Sequence, residues 1–185
     1  MYLIVGLGNP EPEYSNTRHN MGFDVINALA KEYKIEINRN KFSSLYGTGV
    51  INDEKVILIK PQTFMNLSGH AIRDFINFYK LDKDNIIIIY DDIDIKKGTI
   101  KVRKIGGAGT HNGMKSVIEE IKTEEFARIR VGTGSPIYKN DLINYVLEKL
   151  PEDERKLLEP GLTKAKEAVK EILKNGIDSA MNKFN

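Results

Sequence analysis

The sequence contains no cysteine and no apolar run long enough to cross a membrane. Without cysteine, the chain has no disulfide scaffold, no thiolate zinc site and no cysteine nucleophile. The longest apolar runs, residues 2–5 and 86–89, fall far short of the ~20 apolar residues that a membrane helix needs. No basic segment precedes the first run and no small-residue cleavage site follows it, which argues against a secretory signal. These absences are compatible with a reducing cytoplasm, and we predict a cytoplasmic protein.

Neither sign of charge is in large excess, since the chain has 28 Lys and Arg residues and 26 Asp and Glu residues. The overall charge therefore argues neither for nor against a nucleic-acid partner. Its distribution is uneven, because residues 95–118 contain six basic residues and no acidic one. Alone, such a run is typical of a solvated face, but this one surrounds a glycine-rich loop and so favours a phosphate contact. The six residues are Lys96, Lys97, Lys101, Arg103, Lys104 and Lys115.

The length of 185 residues fits one domain, and no repeat or low-complexity linker divides residues 1–185. Short β-branched runs alternate with amphipathic stretches, which indicates a single-domain α/β sandwich with a mixed, mostly parallel twisted sheet flanked by helices. The tail is predicted to be helical from about residue 139, with interruptions at Pro151 and Pro160. The predicted strands cover residues 2–7, 45–51, 55–60, 85–90, 100–103 and 127–133, and the predicted helices before the tail cover residues 21–34, 69–80 and 113–121.

The glycines at positions 6 and 8 follow the first predicted strand, as in a dinucleotide-binding loop. The Rossmann fingerprint needs a third glycine at position 11, where helix and strand pack closely. This chain has Glu11 there, and its carboxylate would repel a pyrophosphate. The dinucleotide interpretation therefore fails.

A second glycine-rich segment, residues 106–113, runs into a predicted helix, whose free N–H groups attract anions. A Walker loop needs glycine directly before Lys-Ser or Lys-Thr, and Met114 stands there instead, which argues against hydrolysis of nucleoside triphosphates. An ordinary flexible turn is the alternative. Four glycines beside Arg103, Lys104 and Lys115 favour some phosphate contact.

Three carboxylates, Asp91, Asp92 and Asp94, follow the most apolar strand. Ligands of open α/β sheets bind beyond the carboxyl ends of strands, so Asp91 lies where a site is expected. Two other interpretations stay open. One is a Mg²⁺ site, since this ion prefers a few carboxylates with phosphate oxygens, and the other is a plain turn.

None of the three histidines, His19, His70 and His111, has the i, i+4 partner of a metal-binding pair. A lone histidine is usually structural, but a loop histidine at the edge of an α/β sheet is a better candidate for chemistry. In residues 61–69, Asn66 or Ser68 would cap the helix that follows. The chain also lacks the Gly-x-Ser-x-Gly turn that exposes a nucleophilic serine in α/β hydrolases.

Six motifs follow one another between residues 6 and 132. They are residues 6–10 (GLGNP, with Tyr14 after it), 17–20 (TRHN), 63–69 (TFMNLSG), 91–94 (DDID), 107–113 (GAGTHNG) and 128–132 (RIRVG). Each is weak alone, but together, in this order and in a chain of matching length, they resemble the bacterial-type peptidyl-tRNA hydrolase family. The resemblance implies a monomeric enzyme that hydrolyses the ester between a peptide and the terminal ribose of tRNA. It implies peptidyl-tRNA as the partner, no membrane, and no metal or other cofactor.

The same resemblance implies roles for single residues. His19 would be the general base, Asp91 the carboxylate that orients it, and Asn9 a hydrogen-bonding catalytic group. This is sensible chemistry, since histidine titrates near neutral pH and can take a proton from water, as it does from serine in hydrolytic triads. The implied substrate-binding residues are Tyr14, Met65, Asn66, Gly109 and Asn112, and the implied contacts to tRNA phosphates are Lys101, Arg103 and Arg130.

Two positions depart from the pattern of that family in ways that concern the site. Glu11 replaces a glycine, and its charge can alter the edge of the cleft or the pKa of His19. Thr110 also replaces a glycine, so the backbone there should avoid a glycine-only conformation. Two other functions are weighed beside the hydrolase. A non-catalytic RNA-binding module would not need His19 together with Asp91, and a magnesium-dependent phosphoryl-transfer enzyme would be sensitive to EDTA.

Overall fold

The apolar runs of the sequence form the strands of one seven-stranded sheet, which lies between two layers of helices. The computed structural model describes all of residues 1–185. Its strands are β1 (Tyr2–Gly6), β2 (Arg39–Lys41), β3 (Ser44–Ile51), β4 (Glu54–Pro61), β5 (Ile86–Asp92), β6 (Ile100–Arg103) and β7 (Ala127–Gly132). Its helices are α1 (Met21–Tyr33), α2 (Ser68–Tyr79), α3 (Asn112–Ile121), α4 (Leu142–Leu147), α5 (Glu152–Asn175) and α6 (Ile177–Phe184). None of these helices has the length and hydrophobicity to span a membrane.

The strand order is β2-β3-β4-β1-β5-β7-β6, with the most apolar strands at the centre. Strands β4, β1, β5 and β7 run parallel to one another, whereas β3 and β6 run antiparallel to their neighbours. The predicted α/β class with a mixed, mostly parallel sheet is therefore confirmed. The parallel arrangement brings the carboxyl ends of β1, β5 and β7 to the same edge of the sheet, where a ligand site is expected.

Both faces of the sheet are buried, because successive side chains of each central strand point to opposite sides. In β1, Ile4 packs towards α1, α5 and α6, while Leu3 and Val5 pack towards α2 and α3. The same alternation runs through β5, whose isoleucines belong to both clusters. The two helical layers hold the central strands in place and leave only their ends for function.

Helix α1 approaches the sheet through glycines. A Cβ atom on Gly6 would lie 2.1 Å from the carbonyl oxygen of Gly22, and one on Gly22 would lie 2.5 Å from that of Ile89. Only glycine allows so close a contact of two backbones. The contact brings the 3₁₀ turn Arg18–Asn20, which precedes α1, against the carboxyl ends of β1 and β5.

Two local predictions about helix ends are wrong. Pro160 does not interrupt the helical tail but lies inside the long helix α5. The buried face of this helix, which includes Leu158 and Leu162, packs on the sheet. Burial of this face outweighs the hydrogen bond that proline cannot donate. Neither Asn66 nor Ser68 caps α2 with its side chain, because a 3₁₀ turn leads directly into that helix and the Ser68 hydroxyl donates to the carbonyl of Met65.

The edge strand β6 is covered by residues that follow α5. The side-chain amide of Asn185 accepts a hydrogen bond from the Val102 N–H at 2.7 Å and donates one to the Val102 carbonyl at 2.9 Å. Ala180 of α6 is buried in the core on the same face of the sheet as α5. The helical tail therefore packs on the sheet and closes one of its edges.

Candidate active site

Asp91 and His19 meet at the carboxyl end of the central strand β5. Asp91 is almost completely buried, and the Nδ1 atom of His19 lies 2.9 Å from its Oδ2 and 3.1 Å from its Oδ1. An ionised carboxylate only accepts hydrogen bonds, so a neutral His19 carries its proton on Nδ1. The Nε2 atom of His19 is then an acceptor with no partner in the protein. This is the tautomer that a general base on Nε2 requires.

A second imidazole, that of His111, binds the same carboxylate. Its Nε2 lies 2.9 Å from Asp91 Oδ1, and its Nδ1 accepts a hydrogen bond from the backbone N–H of Met114 at 3.2 Å. His111 thus caps α3 and is held as the tautomer that donates from Nε2. The rings of His19 and His111 are 4.9 Å apart between centroids. The sequence analysis assigned no role in the site to His111, although its place in the glycine-rich motif was a signal.

The contact between Asp91 and His19 shifts the pKa of both side chains. Burial alone would raise the pKa of Asp91, but the two imidazoles outweigh it and hold that pKa well below its usual range. Burial alone would lower the pKa of His19, but the charge of Asp91 and its hydrogen bond raise it above the ordinary value. Glu11 is not among the groups that shift the pKa of His19. Asp91 is therefore ionised at neutral pH, and His19 is a stronger base than a free imidazole.

Asn9 is buried beside this pair and connects three segments. Its Oδ1 accepts from the backbone N–H of Met65 at 2.9 Å. Its backbone N–H donates to Asn20 Oδ1 at 2.8 Å, and Asn20 Nδ2 donates back to the Asn9 carbonyl at 2.9 Å. The Nδ2 donors of Asn9 have no protein partner, which leaves them for a ligand. The sequence analysis missed Asn20, although it lies in the quoted TRHN motif.

Met65 joins Asn9 to the glycine-rich loop. A Cβ atom on Gly113 would lie 2.6 Å from Met65 Sδ and 3.0 Å from His111 Cε1, so the three residues are packed together. The loop has the expected backbone, since Gly109 has a φ of +58° and Thr110 is not in the positive-φ region. The prediction that Thr110 avoids a glycine-only conformation is confirmed.

A cavity of about 560 Å³ opens beside His19 and Asp91. The glycine-rich loop forms one wall, and four apolar side chains of α4 form another. Of the residues predicted to act in a site, the structure brings together six at this cavity, namely His19, Asp91, Arg103, Gly109, Asn112 and Arg130.

The other predicted residues lie outside the lining of this cavity. Asn9 and Met65 are buried and hydrogen-bonded to each other, and Asn66 is exposed on the 3₁₀ turn Met65–Leu67. Tyr14 is half-buried on a separate turn, Pro12–Tyr14. Lys101 lines a second cleft, on the far side of Asp94.

The acidic motif does not form a set of three free carboxylates. Asp92 Oδ2 accepts from Arg130 Nε at 2.9 Å, and Asp92 Oδ1 accepts from the backbone N–H of Asp94 at 2.9 Å. Asp91 is occupied by its two imidazoles. The ligand atoms of His19, Asp91 and His111 lie within 4.8 Å of one another, but a metal ion there would have to replace the hydrogen bonds between them. Two of the three carboxylates of the magnesium interpretation, those of Asp91 and Asp92, are therefore already engaged.

Two buried arginines that the sequence analysis did not assign hold the walls of the cavity. Arg128 donates to the carbonyls of Gly107 at 3.0 Å and Glu124 at 2.8 Å, and so fixes the glycine-rich loop. Arg18 donates to the Tyr145 carbonyl at 2.8 Å and packs its guanidinium on the Tyr145 ring at 3.7 Å. Arg18 therefore joins α4 to the turn that carries His19.

A family model, curated relatives and a solved structure identify the family of this chain. The family model of peptidyl-tRNA hydrolase matches residues 3–185. The peptidyl-tRNA hydrolase of Alkaliphilus metalliredigens is 54% identical over 185 residues, which cover the whole of both chains. That of Caldanaerobacter subterraneus is 50% identical with the same coverage. The crystal structure of peptidyl-tRNA hydrolase from Acinetobacter baumannii is similar to this chain with a TM-score of 0.94 at 37% identity, covering 100% of this chain and 94% of that one.

Proposed function

The chain belongs to the peptidyl-tRNA hydrolase family and is a hydrolase of ester bonds, and on this premise we propose that His19, Asp91 and Asn9 catalyse the release of the peptide from peptidyl-tRNA. Water attacks the ester carbonyl carbon, and the bond to the ribose oxygen of the tRNA breaks. The products are a free peptide and a tRNA that can be used again in translation.

His19 acts as the general base of this reaction. Its free Nε2 takes a proton from water as the water oxygen attacks, and it returns that proton to the departing ribose oxygen. A general base contributes about 10²–10⁴-fold to such a step. Asp91 holds the tautomer and stabilises the imidazolium through its charge, as the aspartate of a hydrolytic triad does.

Asparagine side chains bind the substrate and the developing oxyanion. The unpartnered Nδ2 of Asn9 is suited to donate to the carbonyl oxygen as it gains charge, without adding a charge of its own. Asn66 and Asn112 offer a donor and an acceptor to a peptide backbone, which is independent of the peptide's sequence. Met65 and Gly109 shape the cleft.

The tRNA is held near the ester by Arg103 and Arg130 at the cavity and by Lys101 beyond it, with Tyr14 near the site. Contacts of Lys and Arg with phosphates give affinity without reading the base sequence. We further propose that residues 1–185 form one domain, because α5 and α6 share the core of the sheet, and that the enzyme works as a monomer in the cytoplasm.

The observation that carries this proposal is the hydrogen bonding of His19 Nδ1 to the buried Asp91 at the edge of the cavity. The test is hydrolysis of a labelled N-acetyl-aminoacyl-tRNA in EDTA by the wild type, His19→Ala and His70→Ala. His70 is a matched control, because it lies outside the cavity and contacts Glu120 on the surface. We expect turnover by the wild type and His70→Ala, a loss of about 10²–10⁴-fold in His19→Ala, and unchanged tRNA binding by all three.

Other outcomes would contradict specific parts of the proposal. Turnover by His19→Ala at the wild-type rate would remove His19 from the role of base. Wild-type turnover that stops in EDTA and returns with Mg²⁺ would revive the metal-dependent alternative. A folded wild type that binds tRNA without hydrolysing the ester would be an RNA-binding module.

A further inference from the structure

Arg18, the residue directly before His19, is a cation buried in the protein. It is 3% exposed, and its Nη1 atom lies 2.8 Å from Glu148 Oε1 and its Nη2 atom 3.1 Å from Glu154 Oε1. An arginine does not lose its proton in a protein, so without these carboxylates the fold would enclose an unpaired charge. The two ion pairs therefore fix the place of the Arg18 side chain.

The two carboxylates belong to different helical segments. Glu148 directly follows α4, and Glu154 lies in the first turn of α5. Glu154 also binds Lys97, whose Nζ atom lies 2.5 Å from the same Oε1 atom. The guanidinium of Arg18 further contacts Tyr145 of α4, at its backbone carbonyl and at its ring. Arg18 is thus the point at which its own 3₁₀ turn, α4 and α5 meet.

Helix α4 has little packing of its own to hold it in place. It is six residues long and none of them is buried, and helices so short are marginal without tertiary contacts. The Tyr145 hydroxyl donates to the Thr133 carbonyl at 2.7 Å, and Arg18 donates to the Tyr145 carbonyl at 2.8 Å. These polar contacts position the apolar wall of the cavity, which consists of Leu142, Ile143, Val146 and Leu147.

The turn that contains Arg18 also positions His19 against Asp91. A 3₁₀ helix has three residues per turn, so the side chains of consecutive residues point about 120° apart. Arg18 accordingly extends towards α4 and α5, while His19 extends to Asp91 at the end of β5. Consecutive Cα atoms are about 3.8 Å apart, so a shift of the Arg18 backbone is transmitted to His19.

We propose that Arg18 is a positioning residue of the hydrolysis, which fixes the His19 imidazole relative to the apolar wall formed by α4. This inference rests on the proposed function, because it requires His19 to be the base. A substrate held against the wall must bring its ester carbonyl within reach of His19 Nε2, and a displacement of about 1 Å can cost ~10²-fold in rate. Arginine suits this position, because its planar fork binds two carboxylates and stacks on a ring at the same time, whereas lysine is a single point charge.

Arg155 offers a matched comparison. Its Nη1 atom lies 2.8 Å from Asp24 Oδ2, and its Nε atom lies 2.6 Å from Glu159 Oε1. Arg155 thus joins α5 to α1 through two carboxylates, but it lies outside the lining of the cavity. A role in stability alone predicts similar effects from the loss of either guanidinium. A positioning role predicts that only the loss of the Arg18 guanidinium changes the reaction.

The test compares Arg18→Lys with Arg155→Lys in urea unfolding, in steady-state hydrolysis of N-acetyl-aminoacyl-tRNA and in the titration of His19 followed by NMR. We expect both variants to unfold at lower urea concentrations than the wild type. Only Arg18→Lys should raise KM and lower kcat, the latter on the order of tenfold to hundredfold. In this variant the pKa of His19 should also fall below its wild-type value, because a longer distance to Asp91 weakens the contact that raises it.

A second pair of variants loosens the wall without removing the buried cation. Glu148→Ala removes a half-exposed carboxylate after α4 but leaves Arg18 paired with Glu154. We expect a higher KM with an unchanged kcat, because the wall loosens while the turn that carries His19 stays in place. Glu152→Ala is the control, since the Glu152 carboxylate lies on the surface, 3.5 Å from a lysine of the same helix.

Three results would overturn the inference. Wild-type kcat and KM in a destabilised Arg18→Lys would mean that this arginine acts on stability alone. An equal loss of kcat in Arg155→Lys would mean a general effect of a weakened fold. If Arg18→Lys does not fold, an unchanged KM in Glu148→Ala decides against the inference. In each case the wild type still hydrolyses the ester, whereas a failure of the proposed function would appear as no turnover by the wild type or as full turnover by His19→Ala.

Discussion

At the scale of the residue, the carboxylate of Asp91 is shared by two imidazoles that are not equivalent. His111 uses both of its nitrogens, one on Asp91 and the other on the backbone of Met114. Neither nitrogen of His111 is therefore left for a ligand. His19 has a free Nε2 and a raised pKa, so it alone is placed to exchange a proton with a ligand. Of the two histidines on this carboxylate, His19 is thus the one that we propose as the reactive group.

A pH profile tests this assignment. The base must be neutral, so kcat/KM should rise with pH through a His19 pKa above its ordinary value of about 6.5 and then level off. Asp91→Asn removes the charge that raises this pKa and leaves burial, which lowers it. We expect the rising limb to move to lower pH and the plateau to fall by at least about 10²-fold. Asp53→Asn, on an exposed hairpin turn, is the control, and an acid limb that stays in place in Asp91→Asn would contradict the assignment.

The roles proposed for His19 and Asp91 follow from the sequence, because each residue lies in a motif that resembles the family. The pairing of His111 with Asp91 could not, since it depends on how α3 and β5 lie beside each other in the folded chain. The same holds for Asn20, whose amide binds Asn9 through contacts that local sequence does not encode. The sequence therefore does not predict which side chains of the site form hydrogen bonds with each other.

At the scale of the element, the close contact of α1 with the sheet positions His19. The helix begins one residue after the 3₁₀ turn Arg18–Asn20, and its second residue, Gly22, touches the backbones of β1 and β5. Element boundaries followed from the periodicity of apolar residues to within about two positions in most cases. The interruption predicted at Pro160 is wrong, because packing of the buried face of α5 outweighs local preference there. The predicted cap of α2 by Asn66 or Ser68 is also wrong, although that helix begins within one residue of the prediction.

Substitution of Gly22 should therefore affect both stability and catalysis. In Gly22→Ala the new Cβ would overlap backbone atoms of Leu7 and Ile89, and the helix would have to move. We expect a loss of about 1–3 kcal/mol in the free energy of unfolding and a lower kcat from displacement of His19. Urea unfolding and steady-state kinetics measure the two effects. Gly107→Ala is the control for stability, since its Cβ would meet only Glu124 Oε1, at 3.9 Å. Equal stability of the two variants would contradict the explanation.

At the scale of the whole molecule, folding brings together basic residues that are distant in the chain. A second cleft, at the β6 edge of the sheet, is lined by Lys96, Lys101, Lys164 and Lys183, and Asp94 borders both this cleft and the cavity beside His19. The sequence revealed the basic run at residues 95–118 but not the cleft, because Lys164 and Lys183 are distant in the chain and join Lys101 only through folding.

Loss of Arg103 should weaken the contact proposed between this side chain and a tRNA phosphate. Arg103→Ala should weaken tRNA binding and make its salt slope shallower by about 0.9, for one phosphate contact. Because Arg103 lines the cavity beside His19, a CCA trinucleotide that carries the same N-acetyl-aminoacyl ester but no tRNA body should also be hydrolysed with a higher KM. Arg39→Ala, at the opposite edge of the sheet, is the control. An unchanged salt slope in Arg103→Ala would mean that this arginine belongs to a solvated face.

The covering of β6 by Asn185 has a further consequence, which concerns aggregation. An open sheet presents unpaired N–H and C=O groups at its two edges, and these can pair with a strand of another molecule. At one edge the amide of Asn185 occupies both backbone groups of Val102. At the other, β2 is only three residues long and carries Arg39 and Lys41, a short and charged edge that repels a copy of itself. Both edges are thereby protected against strand-to-strand association at high protein concentration.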